Sequence, residues 1–297
     1  MCLATCNGIL MGVMIVLNIF REKYLVEGLR YLYRSRATVI QKYKSKWRYF
    51  PTCCIILAFT FLTVLTTLVL HLVNYIIRLR KISSPEFVIY AIPTFIKSLY
   101  ISQFTAYIFV LYLEFKDLNQ SLVKMQFVED LSTKKIMVNL RKRHELLCLS
   151  GRSLNRGFSA QILFIIAVDF VIFVMDLYVW YVNVVDERFK RRNGHAMDTA
   201  ALTAFPLYIL ARIVVISGIC AVTKQEARRS LDLCLKIGLL HDGRVSNEIN
   251  LFVQQIEHWE FGFHAMEFFK IDLTLIYSII RSAMMFLLIF IQLDGTN

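Results

Sequence analysis

The chain has 297 residues, of which 57% are hydrophobic, and it carries a formal net charge of +12. Several apolar runs exceed 18 residues, which excludes a soluble domain with one buried core and indicates several membrane-spanning helices. A transmembrane β-barrel would show short alternating strands, and the sequence has no such series. The fold class is therefore predicted to be all-α, a multi-span helical membrane protein of about six transmembrane helices.

The first third of the chain contains three apolar segments. Residues 8–20 are short for a full crossing, so they form either a reverse-oriented anchor or the outer half of a longer helix that continues towards Tyr33. Residues 51–77 are predicted to be a complete span. A further span is predicted at about 87–113, where Pro93 would kink the helix.

The rest of the chain alternates polar stretches with apolar spans. Residues 114–157 are charged but keep a helical periodicity, which indicates a long helix that projects from the membrane. Spans are predicted at 158–185 and 196–222, followed by a charged, amphipathic stretch at 223–270. The last span, Ile271–Leu293, would measure about 35 Å as a helix, enough to cross a hydrocarbon core of about 30 Å.

Three polar residues, Asp272, Arg281 and Gln292, make this last span unusual. Asp272 and Gln292 lie near its two ends, where membrane interfaces accommodate polar groups. Arg281 lies ten residues into the span, and a charge in hydrocarbon is costly unless it faces protein or water. The last helix is therefore predicted to border an aqueous path.

The distribution of Lys and Arg predicts the topology. The stretches 21–50, 114–157 and 223–270 carry nine, nine and six of these residues, whereas 78–86 and 187–195 carry three and four. Because cytoplasmic segments are enriched in positive charge, the long polar stretches are expected in the cytoplasm and the C-terminus outside. The same distribution explains the net charge without a nucleic-acid partner.

Four further charges, Lys97, Asp169, Asp176 and Arg212, lie inside predicted spans. With a rise of about 1.5 Å per residue, Asp176 and Lys97 fall at one depth and Asp169 and Arg212 at another. Charges in the interior of a membrane bundle require partners of opposite sign. The pairs Asp176–Lys97 and Asp169–Arg212 are therefore predicted.

Two interpretations of these pairs remain open. They either hold the bundle together as structural ion pairs, or Asp176 and Lys97 belong to a polar ligand cavity in the outer half of the membrane. Tyr100 and Trp180 lie at a similar depth and would line such a cavity. Aromatic residues near the interfaces also form belts without any role in binding.

The sequence carries no signature of catalysis. It lacks the HExxH, P-loop, GxSxG and CxxC motifs. Asp169 and Asp176 lie two turns apart on one helix, about 10 Å, which is too far for them to share a proton as an aspartyl protease dyad. The seven Cys and six His residues show no metal-ligand spacing. We therefore expect no catalytic residue, no metal and no cofactor, and we predict that the protein is not an enzyme.

The C-terminal segment MFLLIFIQL, residues 285–293, resembles the signature of the insect gustatory receptors: Thr-Tyr, five hydrophobic residues, then Gln-Phe. The hydrophobic run Leu287–Ile291 and Gln292 match in place, whereas Met285, Phe286 and Leu293 replace Thr, Tyr and Phe. The upstream sequence FFKIDLTLIYSI is similar to the phenylalanine-rich approach to the last helix of that family. The first of the family's seven spans has no counterpart here, so an N-terminally shortened or alternatively spliced form is expected.

The resemblance implies a ligand-gated, non-selective cation channel in the lipid bilayer, a homo- or heterotetramer with related receptors whose last helices line the pore. A small-molecule tastant would bind in a cavity of each subunit that faces outside. Leu287 stands where sugar-sensing members carry Glu, which favours a bitter-type or orphan ligand. The implied pore and gate residues are Met285, Phe286, Ile289, Gln292 and Leu293.

On this basis the chain divides into five segments. Residues 1–113 and 158–222 would form the ligand-sensing helices. Residues 114–157 would form a cytoplasmic helical extension, 223–270 a cytoplasmic helical anchor between subunits, and 271–297 the pore-lining terminal helix.

Two other classes of membrane protein fit less well. A G-protein-coupled receptor would have a cytoplasmic C-terminus and would usually show a DRY-like triplet and NPxxY, which this sequence lacks. A secondary transporter would explain the intramembrane charge pairs without a tetramer, but the two halves show no internal repeat. The transporter remains the alternative function.

Overall fold

The computed structural model describes residues 2–40, 84–125, 133–184, 196–240 and 246–295, together with six isolated positions between 58 and 69. The predicted all-α membrane fold is confirmed, with one short β-hairpin added. The predicted span at 51–77 and the linker at 187–195 lie outside the described ranges, apart from those isolated positions. The described elements are α1 (Cys2–Ile40), α2 (Ser84–Met125), α3 (Thr133–Val184), α4 (Ala196–Leu240), α5 (Ser246–His258), β1 (His264–Ala265), β2 (Phe269–Lys270) and α6 (Leu273–Gly295).

The length of the helices shows how much of each lies beyond the membrane. Helices α2, α3 and α4 contain 42, 52 and 45 residues. At about 1.5 Å per residue, α3 is about 78 Å long, more than twice the thickness of the hydrocarbon core. Within the described ranges, four helical segments each contain a stretch long and apolar enough to span: Ile92–Met125, Lys134–Asn183, Leu202–Leu240 and Leu273–Leu293.

The structure decides between the interpretations of one predicted segment and corrects another. The apolar run 8–20 belongs to one continuous helix of 39 residues, α1, so the interpretation as part of a longer helix is correct. The stretch 114–157 is not one projecting helix, because it is divided between the end of α2 and the beginning of α3. Both spans continue into polar sequence without a break at the membrane boundary. We call residues 114–157 and 223–270 the polar end of the bundle.

Helix α1 packs closely along α3 because small residues allow the two backbones to approach. A Cβ atom at Gly28 would lie 3.0 Å from Leu154 Cγ, and the Ser150 hydroxyl donates a hydrogen bond of 2.8 Å to the Gly28 carbonyl. Ser153 donates in the same way to the Tyr24 carbonyl at 2.9 Å. These contacts lie at the polar end of the bundle, where the small Gly28, Ser150 and Ser153 let the two helices approach closely enough to hydrogen-bond.

A buried aromatic cluster joins four elements at the polar end. The Phe115 ring lies 5.3 Å from Phe261 and 5.5 Å from the His144 imidazole, which in turn lies 5.4 Å from Phe252. Phe261 also contacts Phe263 at 5.4 Å, with the rings nearly perpendicular. Edge-to-face contacts of this kind stabilise aromatic clusters beyond simple area burial. The cluster therefore fixes α2, α3, α5 and the approach to the hairpin against one another.

A balanced group of four charges lies beside this cluster. The Glu114 carboxylate, 1% exposed, accepts hydrogen bonds from Arg36 Nε at 2.8 Å and from Arg143 Nη2 at 2.9 Å. Arg143 also donates to Asp117 at 3.0 Å. Each buried charge has a partner of opposite sign, which is the condition under which buried ions are tolerated. The group connects α1, α2 and α3.

A β-hairpin, which the sequence did not predict, lies within the stretch 223–270. His264 pairs with Lys270 and Ala265 with Phe269, and the Phe268 amide donates to the Ala265 carbonyl at 3.0 Å. Both central turn residues have positive φ, 46° at Met266 and 60° at Glu267. This backbone is typical of a type I′ turn, which usually carries Asn or Gly. Because this turn has neither residue, the sequence did not indicate it.

The start of the last helix gives Asp272 a structural role. Helix α6 begins at Leu273, and Asp272 Oδ1 accepts a hydrogen bond of 3.0 Å from the Thr274 backbone amide. Asp is a preferred N-cap residue because its side chain satisfies an amide that has no partner within the helix. Asp272 therefore lies before the span and not within it.

Burial makes the His144 imidazole a determinant of the pH dependence of stability. Desolvation lowers the pKa of His144 from 6.5 to about 4, outweighing the opposing hydrogen bond to Ala227. The unfolded chain therefore binds more protons than the folded chain between about pH 6.5 and 4, and stability falls as the pH decreases through this window. Above about pH 6.5 this residue contributes no pH dependence, because both states are neutral.

We predict that His144→Gln flattens this dependence. The free energy of unfolding should lose a slope of up to about 1.4 kcal/mol per pH unit between about pH 6.5 and 4. Urea unfolding of the purified chain in detergent, followed by tryptophan fluorescence at several pH values, measures this slope. His258→Gln, at the exposed end of α5, should keep the slope of the unmodified chain. Equal slopes in both variants would contradict the assignment to His144.

Candidate functional site

Three buried charges meet between α2, α3 and α4 inside the spans. The Asp169 carboxylate of α3 accepts a hydrogen bond of 2.7 Å from Lys97 Nζ of α2, and its second oxygen accepts one from Arg212 Nη2 of α4. Lys97 is 4% exposed and Asp169 is 1% exposed. Two cations therefore share one carboxylate, and we call these three residues the charge triad.

The structure contains the predicted contact between Asp169 and Arg212 and corrects the predicted contact between Asp176 and Lys97. Lys97 pairs with Asp169, two helical turns and about 10 Å along α3 from Asp176. Counting residues from the ends of the spans assumes that the helices stand parallel and start at equal depth. In the structure α2 and α3 are offset along their axes, and the long lysine side chain reaches a depth different from that of its own Cα atom. Equal residue counts therefore do not give equal depths.

Proline precedes the cation on each of the two helices that donate to Asp169. Pro93 lies four residues before Lys97 on α2, and Pro206 lies six residues before Arg212 on α4. A proline inside a helix removes one backbone hydrogen bond and favours a bend. The Arg212 guanidinium also lies 5.4 Å from the centre of the Tyr208 ring, one turn away on α4.

A second polar contact, around Arg21, was missed by the sequence analysis, which placed Arg21 in a loop. Arg21 lies within α1 and donates to Gln103 Oε1 of α2 at 2.7 Å. Its guanidinium lies 4.9 Å from the centre of the Tyr100 ring and 4.7 Å from that of Phe158. Tyr100, predicted to line a ligand cavity, therefore contacts a cation of α1. The sequence allowed for a helix that continues towards Tyr33, but it gave no indication that Arg21 would contact α2.

A cavity of about 170 Å³ lies between α2 and α4 beside the charge triad. Its wall is mostly apolar, and Arg212 is the charged residue that lines it. The predicted ligand residues Lys97, Tyr100, Asp176 and Trp180 are not among the described residues that line this cavity; Asp176 and Trp180 are half-buried on α3. The cavity is lined by Ser98, Ile101, Ser102, Thr105, Tyr208, Ala211, Arg212 and Val215.

A larger cavity, of about 380 Å³, opens at the polar end, where α4, α5, the hairpin and the start of α6 meet. Its lysine, arginine and carboxylate side chains balance in formal charge, so its lining favours neither anions nor cations. His144, Phe261 and Phe263 of the aromatic cluster, together with Trp259, supply its aromatic wall. The charged lining residues are Lys224, Arg228, Lys270, Glu257, Glu260 and Asp272.

The last helix buries only one narrow stripe of residues. Leu275, Ile279, Ala283 and Leu287 are buried at a spacing of four, and they face α3 and α4. Successive residues of a helix turn by about 100°, so the opposite side carries the positions 277, 281, 284, 285, 288 and 292. All six of these side chains are exposed, including Arg281. Helix α6 therefore presents a long face that the described part of the chain does not cover.

The five predicted pore residues divide between the two sides of α6. Gln292 and Met285 lie on the uncovered face, and Ile289 lies at its edge. Phe286 and Leu293 are on the side of the buried stripe, where the Phe286 ring lies 6.0 Å from Phe170 of α3. Leu293 is nevertheless 60% exposed, because it lies near the end of the helix beyond the packed region.

The fold and the triad define a class: a multi-pass helical membrane protein with a charged group in the interior of its bundle and an uncovered terminal helix. The sequence profile of the family described as 7tm Chemosensory receptor matches residues 1–297. The chain belongs to this family. The predicted resemblance to insect gustatory receptors is confirmed at the level of an insect chemoreceptor. Membership in a receptor family also supports the prediction that the chain is not an enzyme.

Individual relatives agree with this assignment. The chain is 24% identical over 158 residues to the Drosophila melanogaster protein described as gustatory receptor 28b. That alignment covers 52% of this chain and 33% of the relative, so it spans about a third of the relative's length.

The fold is similar to the solved structures of the insect olfactory receptor OR5 from Machilis hrabei. The complex of that receptor with eugenol has a TM-score of 0.64, and a second structure of the same receptor has a TM-score of 0.61. In each case the identity is 10%, and the match covers 99% of this chain and 82% of the other. At 10% identity this similarity shows that the two folds are alike.

We predict that Asp169→Asn is far more damaging than Lys97→Met. The first change leaves two buried cations without a carboxylate, which typically costs about 3–5 kcal/mol. The second leaves Asp169 with Arg212 as a neutral pair, so the loss should be clearly smaller. Thermal unfolding of the detergent-solubilised chain, together with the amount delivered to the cell surface, compares the two variants. An equal loss in both would contradict the shared role of Asp169.

Proposed function

We propose that the chain is a subunit of a ligand-gated, non-selective cation channel that detects a small chemical, a gustatory receptor of bitter-type or orphan specificity. The observation that carries this proposal is the uncovered face of α6. A span of 21 residues (Leu273–Leu293) with Arg281 and Gln292 on the side away from its own bundle needs a neighbour or water on that side.

A central pore formed by several copies of α6 provides that environment. The exposed positions 281, 285, 288 and 292 form one stripe, so four helices around an axis would each turn Arg281 and Gln292 towards a shared aqueous path. The apolar residues between them, Met285 and Leu288, would form a constriction that closes by losing its water. This arrangement supports a homo- or heterotetramer with cations as the permeating species.

The contacts of α3 supply a route from ligand to pore. Asp169 belongs to the charge triad, and the next residue, Phe170, contacts Phe286 of α6. Tyr178 of α3 similarly contacts Phe290 of α6, with ring centres 5.6 Å apart. A ligand that changes how α2 and α4 hold Asp169 would therefore act on the same helix that supports the pore helix.

The ligand specificity follows from the terminal motif and the bundle interior. Leu287 occupies the position at which sugar-sensing members carry Glu, and it is buried against the bundle in α6. The predicted binding residues Lys97, Tyr100, Asp176 and Trp180 lie in the same transmembrane bundle as the triad. We therefore propose a small, weakly polar tastant and no cofactor.

A secondary transporter remains the second candidate, because a buried group of two cations and one carboxylate is also suited to coupled ion movement. The two functions differ in rate. A channel gives discrete unitary currents and a reversal potential set by the ion gradients. A transporter gives saturable flux coupled to substrate and has no unitary current. Single-channel recording from the purified chain in planar bilayers separates them.

In the proposed channel the C-terminus of the chain lies outside the cell and the polar end lies in the cytoplasm. We predict that an epitope tag placed after Asn297 is stained on intact, unpermeabilised cells. A tag in the polar stretch after Met125 should be stained only after permeabilisation and serves as the control. Staining of the C-terminal tag only in permeabilised cells, with surface delivery shown independently, would overturn both the topology and the channel.

We predict that Gln292→Ala changes permeation without changing surface delivery. Removing the amide from the proposed pore face should alter the unitary conductance or the reversal potential in mixed Na⁺ and K⁺ solutions. Ser282→Ala, on the side of α6 that faces the bundle, is the matched control and should leave both unchanged. Identical conductance and selectivity for Gln292→Ala and the unmodified channel would remove Gln292 from the pore.

A further inference from the structure

The cavity at the polar end lies at the boundary between the polar sequence and the membrane spans. Asp272 lines it and immediately precedes the last span, which begins at Leu273. Lys224 lines it two residues after the end of the span predicted at 196–222. Its volume of about 380 Å³ is within the range of about 300–1,000 Å³ that is usual for small-molecule sites. A ligand in this cavity would therefore lie at the depth of the lipid headgroups.

The charged side chains that line this cavity are accessible to a ligand. Asp272 is the least available of them, because its carboxylate accepts hydrogen bonds from the amide and the hydroxyl of Thr274. The other five are exposed, and none forms an ion pair with another of the residues that the structure describes. These five are Lys224, Arg228, Lys270, Glu257 and Glu260.

The two lysines of the cavity lie on its membrane side. Hydrogen bonds from Thr274 lower the pKa of Asp272, and Lys224 and Lys270 lower it further, so both ammonium groups are close to this carboxylate. Asp272 is the N-cap of α6 and adjoins the last span. The lysines therefore form a cationic region next to the membrane.

Helix α5 carries acidic residues of the cavity away from the membrane. The His264 amide of the hairpin donates to Asn155 of α3 at 3.1 Å, whereas Gln255 of α5 donates to the Arg141 carbonyl of α3 at 3.3 Å. Asn155 and Arg141 are 14 positions apart, about 21 Å, with Asn155 nearer the membrane span. Glu257, two residues after Gln255, therefore lies further from the membrane than the hairpin.

The order of these charges matches that of a zwitterionic phospholipid, whose phosphate lies next to the acyl chains and whose ammonium lies further out. On the membrane side, the formal charges of Lys224, Lys270 and Asp272 sum to +1. Those of the other three charged lining residues, one arginine and two glutamates, sum to −1. Trp259 lies between the two glutamates in the chain and also lines the cavity. An aromatic ring next to carboxylates favours an ammonium group.

We propose that this cavity binds the headgroup of a zwitterionic phospholipid, with the phosphate on Lys224 and Lys270 and the ammonium beside Glu257 and Glu260. The lipid belongs to the leaflet that borders the polar end. Lysine side chains at this depth are suited to headgroup phosphates. The inference goes beyond the detection of a chemical and does not depend on conduction.

The surface next to the cavity suits the acyl chains of such a lipid. Val222 and Leu273, at the polar-end boundaries of two spans, are 45% and 50% exposed. A soluble zwitterion would gain nothing from these apolar side chains, whereas acyl chains can lie against them. A bound headgroup would link Lys224 of α4 to Lys270, three residues before α6, and so hold the start of the last helix.

Native mass spectrometry of the purified full chain, titrated with dioleoylphosphatidylcholine or dioleoylphosphatidylglycerol, measures the affinity of the first lipid bound. The two lipids share their acyl chains and phosphate, but only the choline lipid carries an ammonium. Because the chain has a net charge of +12, non-specific attraction favours the anionic glycerol lipid. We expect the choline lipid to bind at least about tenfold more tightly. Equal affinities, or tighter binding of the glycerol lipid, would overturn the site.

Variants of the acidic residues assign the preference to this cavity. Glu257→Gln combined with Glu260→Gln removes two negative charges from a balanced lining and should reverse the preference in favour of the glycerol lipid. Misfolding cannot produce this result, because it is a gain of binding. Glu267→Gln, at the exposed tip of the hairpin and outside the lining, should leave the preference unchanged. Retention of the choline preference by the double variant would show that the lipid binds elsewhere.

Variants of the lysines test the contact with the phosphate. Lys224→Gln should weaken binding of the choline lipid by about tenfold. Lys236→Gln, exposed three turns further along α4 and outside the lining, removes the same charge and should have no effect. Equal affinities in the two variants would remove Lys224 from the site.

Soluble phosphocholine distinguishes a lipid from a free metabolite with the same headgroup. It should bind at least about a hundredfold more weakly than the lipid, because it lacks the apolar contacts of the acyl chains. Equal affinities would contradict the assignment of a lipid. Specific lipid binding in a chain that conducts no ions would contradict the proposed channel and leave this site intact.

Discussion

The arrangement of the transmembrane helices depends on one buried carboxylate. Asp169 holds Lys97 of α2 and Arg212 of α4 at once, so three helices are fixed by a single side chain. Apolar helices in lipid lack the hydrophobic driving force that aligns helices in water, and their apolar surfaces tolerate sliding. A buried ion contact tolerates little sliding, because displacement leaves a charge without its partner. The triad therefore sets the relative positions of α2, α3 and α4.

The polar end is stabilised differently from the membrane region. There the helices meet through a cluster of aromatic rings and a balanced charge group centred on Glu114. Asn119 of α2 adds a polar link to α4, since it accepts a hydrogen bond of 2.6 Å from Ser230 and donates one of 2.8 Å to the Glu226 carbonyl. These interactions resemble the core of a soluble helical domain.

Hydropathy and charge were sufficient to predict the class of fold, and the terminal motif was sufficient to predict the family. Both are local features of the sequence. The contact between Asp169 and Arg212 was also predictable, since an intramembrane charge needs a partner. The choice of Asp169 over Asp176 by Lys97 was not, because it depends on the offset between helices. Nor was the hairpin, whose turn at Met266 and Glu267 carries no glycine or asparagine.

The uninterrupted helix α3 has a mechanical consequence. Asp169 and His144 lie on it 25 positions apart, about 37 Å along a rod with no internal joint in the structure. If such a rod pivots by about 5° at the charge triad, its other arm sweeps through about 3 Å at His144. That distance is comparable with the spacing between packed side chains, so a rotation too small to break the triad is large enough to repack the aromatic cluster. Helix α3 can thus transmit a small rotation at the charge triad to the aromatic cluster at the polar end.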